Sequence, residues 1–272
     1  MQEIIIEAGR ASRHYWRDVW QYRELFYFLA WRDILVRYKQ TVVGLLWALL
    51  RPVLTVLVLT LVFGRLAKMP DHGTPYTLLV FSAMLPWTLF ANAFSGGSSS
   101  LVGNANLISK VYFPRLIIPA GAVVVGFIDF LISLCLLFLL LAFYSIWPGW
   151  RLLALPPLTL LAMVTALGPA LWIGALNVRY RDFNQVVPFV LQLGLYVSPV
   201  GFSSEVIPEK WRLLYSLNPM VGVIDGFRWV FLGNAFRIDQ TAFFLSLTGV
   251  IVIFLTGIGY FRKTEKSFSD VI

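Results

Sequence analysis

Charge is scarce in this chain of 272 residues. Asp, Glu, Lys and Arg together fill 13% of it, against about 25% in soluble domains. The two histidines, His14 and His72, stand far apart in sequence, so no histidine cluster offers a metal site or a proton relay. The single cysteine, Cys135, can close no intramolecular disulfide, and it leaves the redox compartment unread. HExxH, GxSxG and GxxxxGK[ST] patterns are all missing. Hydrolytic chemistry and a nucleotide-binding module of the chain's own therefore have no support. Internal repeats and low-complexity linkers are missing too.

Apolar residues are what the chain has instead: 58% of all positions, with aromatics filling 16% of the chain and a mean hydropathy of +0.76. A membrane span takes about 20 apolar residues, so the length allows several spans and no large soluble domain. The expected class is an all-α integral membrane protein. Six apolar segments stand out, at 43–63, 76–95, 116–143, 152–176, 185–202 and 241–261. Pro52 lies in the first and removes a backbone hydrogen bond, so a kink is expected there. The fifth is short and contains Pro188 and Pro199.

The net charge of +8 is read through topology, with no nucleic-acid partner expected. Seven of the 22 Lys and Arg precede the first span. With six spans and both termini in the cytoplasm, fourteen fall on the cytoplasmic side and seven on the other. That bias follows the positive-inside rule. The first 24 residues mix arginines with acids and lack an early apolar core, so no signal peptide is expected.

Residues 1–29 are expected as a cytoplasmic arm, 30–42 as an interfacial helix and 43–272 as the transmembrane domain. On a helical wheel Arg32, Asp33, Arg37, Lys39 and Gln40 share one arc, and Trp31, Ile34, Leu35 and Tyr38 another. Such a helix suits the headgroup plane, either as a plain anchor or as a docking surface. The loop at 96–115 starts with a flexible Gly/Ser run and continues as a short exposed helix at 104–113, bearing Lys110, Tyr112 and Phe113. Loop 177–184 carries Arg179, Arg181 and Asp182; the acid exceeds what an anchor needs. Segment 203–240 holds two apolar pieces too short to cross, split by Asn218 and Pro219. These read as a helical hairpin dipping back from the outer face.

Two charges fall inside spans, Arg51 and Asp129. A charge at mid-span costs roughly 3 kcal/mol or more. Either the two pair with each other, or Arg51 faces a lumen and an anionic substrate. Trp47, Trp87, Phe90, Phe94, Phe189 and Tyr196 lie in or near spans. Their rings could serve as platforms for sugar rings, or simply pack against lipid and core.

The ordered blocks WRDILVRYKQTVVGLLWALLRPVL, FGRLAKMP, SLVGNANLISKVYFPRLIIP, ALNVRYRDF, YVSPVGF and LNPMVGVIDGFRWVFLG resemble the permease subunits of bacterial ABC exporters for polysaccharides and polyol phosphates. NLISKVYFPR and NPMVGVIDGFRW are most similar to the O-antigen branch of lipopolysaccharide export. The resemblance runs from about residue 20 to the end. It implies a homodimer of six-helix subunits in the bacterial inner membrane, joined to two copies of a separate ATPase. ATP and Mg would belong to that ATPase, with no cofactor or metal in this chain. By the same likeness, 30–40 with Arg32, Asp33 and Arg37 is the ATPase-facing interface helix. The coupling elements are 104–113 and 177–182. Residues 203–232, with Trp211, Asn218, Pro219, Asp225 and Arg228, form gate helices. Arg51 and the six aromatics would line a channel for a lipid-linked glycan. Capsule or teichoic-acid export, a small-molecule ABC permease and a membrane glycan transferase are the alternatives.

Overall fold

Long apolar segments in a low-dielectric medium must satisfy their backbone internally, and helices do so within each segment. The computed structural model describes residues 15–38, 42–180, 182–236 and 238–268, with backbone alone for 42–48 and 234. Every regular element among the described residues is helical. The helices are α1 (Tyr15–Gln21), α2 (Arg23–Tyr38), α3 (Val42–Leu59), α4 (Tyr76–Gly103), α5 (Ala105–Lys110), α6 (Ile117–Phe143) and α7 (Leu155–Arg179). After them come α8 (Phe183–Val197), α9 (Glu209–Tyr215), α10 (Pro219–Leu232) and α11 (Gln240–Thr264).

Five helical stretches are long and apolar enough to cross a membrane: Leu49–Leu66, Tyr76–Gly103, Ile117–Phe143, Gly149–Arg179 and Gln240–Ser267. Six apolar segments were expected, and the fifth, 185–202, forms a shorter helix, α8. It stops at Val197 because Pro199 cannot continue the ladder and disfavours helical backbone before it. Pro52, by contrast, stays inside α3, buried against the bundle.

The expected flexible Gly/Ser loop is instead the last turns of α4. Serine hydroxyls there bond back to the helix, Ser98 to the Ser95 carbonyl at 3.0 Å and Ser100 to the Gly97 carbonyl at 2.7 Å. The small residues also let α7 come close. A Cβ on Gly97 would lie 2.9 Å from the Ala170 Cβ. Close packing through small residues is how spans associate when lipid offers no hydrophobic drive.

Two sets of contacts define the two ends of the bundle. At one end Tyr15 donates to Glu265 Oε2 at 2.9 Å, and the Arg115 backbone N–H donates to Glu265 Oε1 at 2.6 Å. The first and last described helices and the start of α6 therefore meet there. At the far end Tyr76 donates to the Gly201 carbonyl at 2.5 Å. Since Asn177, near the end of α7, donates to Asn184 Oδ1 at 3.2 Å, α8 starts at the terminal end, and the chain beyond it reaches the far end.

α4 is the central helix, buried along most of its length, while α3 and α11 are peripheral. α6, α7, α8 and α10 all pack on α4. Phe130 of α6 meets Phe227 of α10 edge-on at 6.0 Å, and Phe138 meets Phe231 likewise at 6.0 Å. Aromatic pairs of this geometry add about 0.5–1.5 kcal/mol beyond the area they bury.

Candidate functional site

The terminal end gathers the elements expected to dock a partner. α2 begins at Arg23, seven residues before the expected start of the interface helix, and Lys39 and Gln40 lie outside the described residues. Its neighbour is α6: a Cβ on Gly121 would lie 3.9 Å from the Ala30 nitrogen. Arg32 pairs with Asp33 at 2.7 Å and donates to Asn104 Oδ1 at 2.8 Å. Asn104 also donates to the Ser100 carbonyl at 2.9 Å. A helix predicted from its wheel and a helix predicted from its loop are thus joined by one side-chain bond.

α5 presents Lys110 to solvent, followed by Val111 and Tyr112, also exposed. Phe113 turns the other way. It is 3% exposed and packs with Leu29, Leu101 and Ile117, so it anchors the segment and is not offered to a partner. Arg179 lies over the Tyr180 ring at 5.6 Å and is exposed, as is Asp182 at the N-terminus of α8. Arg181 lies outside the described residues. Burial pushes the Tyr15 hydroxyl above its ordinary range, helped by the nearby Glu265 charge, so it stays a donor at neutral pH.

Asp129 does not pair with Arg51. Its Oδ2 lies 2.6 Å from Arg37 Nη2 and accepts from Asn92 Nδ2 at 2.8 Å, and its Oδ1 accepts from the Tyr38 hydroxyl. Burial, and then the bond to Asp129, raise the Tyr38 hydroxyl above its usual value. Arg51 is exposed, and its side chain meets no partner among the described residues. It shares one face of α3 with Leu54 and Val58, at helical spacing and exposed, and Leu61, also exposed, follows in the π-helical turn Thr60–Leu66. On α8 Phe189, Leu193 and Tyr196 form a similar exposed stripe.

The predicted channel aromatics divide accordingly. Phe189 and Tyr196 face outward from the helix bundle, each 62% exposed. Trp87, Phe90 and Phe94 run along α4 with ring centroids 5.5 and 5.7 Å apart, but Trp87 and Phe94 are buried within the bundle. α8 packs directly on this row, since a Cβ on Gly194 would sit 2.7 Å from Trp87 Cη2. The side chain of Trp47 lies outside the described residues.

At the far end the two pieces of 203–232 differ in kind. α9 has no buried residue, and Trp211 and Leu214 are exposed. α10 is almost wholly buried. Asn218 caps it by accepting from the Met220 N–H at 3.0 Å, with Pro219 at its first position, where a missing N–H costs nothing. Arg228 is fully buried. It donates to the Val200 carbonyl at 3.3 Å and lies 3.8 Å from Asp225, whose other oxygen accepts from Ser204 at 2.7 Å. Nothing in the composition of this segment announced that depth. The i, i+4 pair Gly222 and Gly226 was the available signal.

A bundle that is all helical among the described residues, with five stretches long and apolar enough to cross a membrane, is that of a polytopic membrane protein. The family model described as ABC-2 type transporter matches residues 24–232, from α2 through α10, and the chain belongs to that family. ATP hydrolysis in such a system falls to a partner ATPase, so this chain is the transport subunit. Over 94% of its length it is 29% identical to the O-antigen export system permease protein RfbA of Myxococcus xanthus, of which it covers 98%. A protein of the same name from Klebsiella pneumoniae is 26% identical, with 89% of this chain and 92% of that one aligned. The polysialic acid transport protein KpsM of Escherichia coli is 21% identical over 87% of this chain and 92% of its own.

Proposed function

We propose that the chain is the permease of an ATP-driven exporter that carries a lipid-linked polysaccharide across the bacterial inner membrane, the substrate being an undecaprenyl-pyrophosphate-linked O-antigen. The observation that carries this reading is the nearly full-length likeness to O-antigen export permeases. The likeness to KpsM favours capsule polymer as the second reading.

In this reading two protomers face each other, each bound to an ATPase, and the terminal end is cytoplasmic. α8 serves as the sixth crossing despite its length, a mismatch that local thinning of the bilayer can absorb. The exposed stripes of α3 and α8 flank α4 and line a path between protomers. Phe189 and Tyr196 give sugars an apolar, sequence-tolerant surface, and Trp87 with Phe94 support that wall from behind. Arg51, on the α3 stripe, offers charge-assisted hydrogen bonds to a pyrophosphate. Arg32, Asp33, Lys110, Tyr112, Arg179 and Asp182 form the surface on which the ATPase acts, and α9 with α10 closes the outer mouth.

Deleting the gene tests the assignment. Finished, lipid-linked polymer is expected to accumulate on the cytoplasmic face while synthesis continues. If polymer synthesis itself stopped in an otherwise intact pathway, a transferase role would replace export.

A further inference from the structure

A carboxylate halfway along a membrane helix is expensive, and this one is held by donors from two other helices. Asp129 belongs to α6, Asn92 to α4, and Arg37 and Tyr38 to the last turn of α2. The three donors take up both oxygens of Asp129, whose side chain keeps only 14% exposure. α2 also packs along α6 through Ala30 and Gly121, so it is fixed to α6 at two levels. α3 starts four residues after Tyr38 and lies at the edge of the bundle. Of its described side chains only Pro52, Val56 and Leu59 are buried.

We infer that Asp129 is a positioning residue that clamps α2 to α6 and α4, so that a displacement of α2 passes into the core of the protomer while α3 is left to move separately. The inference rests on the proposed reading that α2 is pushed by the ATPase. Physically, a lone hydrogen bond to an exposed arginine would be a weak link. A carboxylate shared by three donors in a medium of low dielectric holds harder, because losing any donor leaves charge unsatisfied where water cannot replace it. The clamp gathers α2, α4 and α6 at one carboxylate. It divides the protomer into a driven body, α2 with α4 and α6, and a separately moving wall, α3, that carries Arg51.

Distance measurements between spin labels test this without a substrate. With Cys135→Ser, labels go on Tyr27→Cys and Leu139→Cys for α2 against α6, and on Tyr27→Cys and Val58→Cys for α2 against α3; all three sites are exposed. The permease–ATPase complex is measured nucleotide-free and trapped with ADP and vanadate. The α2–α6 distance is expected to hold within about 2 Å, while the α2–α3 distance shifts by about 5 Å, the scale of a one-turn slip. Asp129→Asn should let the α2–α6 distance change on trapping. Adding Asn92→Asp, which moves the carboxylate across the same 2.8 Å contact to α4, should restore the wild-type pattern. A wild-type α2–α6 distance that shifts by about 5 Å, or an Asp129→Asn complex indistinguishable from wild type, overturns the clamp. The wild-type comparison does so even if a variant fails to fold. A permease that binds no ATPase refutes the partnership beneath the inference, a separate result seen before any label is read.

Discussion

Arg32 Nη2 donates to Asn104 Oδ1 across 2.8 Å, tying α2 to α5 through residues 72 positions apart. Both helices were expected to meet an ATPase, and this bond makes them one surface. Arg32→Ala and Asn104→Ala should each weaken ATPase binding by about 2- to 10-fold, the range of one partly exposed hydrogen bond worth about 0.5–1.5 kcal/mol. If the bond is what matters, the double variant binds no more weakly than the weaker single one. Titrating the purified permease with its ATPase reads out this cycle; additive losses would mean that each side chain acts alone.

Arg228 should govern stability. It is fully buried beside Asp225, Ser204 and the Val200 carbonyl, and breaking a buried pair by removing one partner costs about 3–5 kcal/mol. Arg228→Ala is therefore expected to lower the thermal midpoint in detergent by several degrees. Asp225→Asn is expected to destabilise as well, because it leaves the fully buried Arg228 guanidinium without its counter-charge even though an amide can still accept from Ser204.

Gly222 and Gly226 separate two kinds of close packing. A Cβ at Gly222 would lie 2.7 Å from the Ser246 Cβ, an atom fixed to its backbone; at Gly226 it would meet the tip of Leu158 at 2.8 Å. Overpacking costs about 1–3 kcal/mol, and alanine returns up to about 1 kcal/mol of helix propensity. Gly222→Ala should clearly destabilise, Gly226→Ala much less, and Ser246→Gly should relieve the first. Thermal unfolding of the three single variants and of Gly222→Ala combined with Ser246→Gly measures it.

Arg51 should matter to transport and little to folding. Arg51→Gln is expected to leave the thermal midpoint within about 2 °C, as for an exposed side chain, while export falls several-fold. Combining Arg51→Asp with Asp129→Arg should fail to restore export, because Asp129 is already held by Arg37, Tyr38 and Asn92. Recovery of export in that swapped pair would show that the two charges do meet.

The spans were legible because hydropathy acts locally: each long apolar run must become a helix wherever it sits in the bundle. Contacts between distant residues were not. Arg37 and Tyr38 read as members of two different arcs on one wheel, and nothing local shows that both reach Asp129 across 91 or more residues. Asn92 was a usable hint, an amide inside an apolar run that needs a partner. The serines after Gly96 misled because serine favours turns, yet here their hydroxyls back-bond to α4 and keep it helical. The burial of α10 escaped for a related reason. Arg228 and Asp225 look like surface charge until the fold brings Ser204 and Val200 to them.

Export itself is tested most directly with the permease in sealed proteoliposomes, its ATPase facing outward and undecaprenyl-pyrophosphate-linked O-antigen added to the outer leaflet. The account predicts that polysaccharide becomes protected from an added glycosidase only with ATP, only with an ATPase able to hydrolyse it, and less with Arg51→Gln. Unprotected polysaccharide in vesicles whose ATPase turns over ATP, alongside accumulation of a small solute, would contradict it.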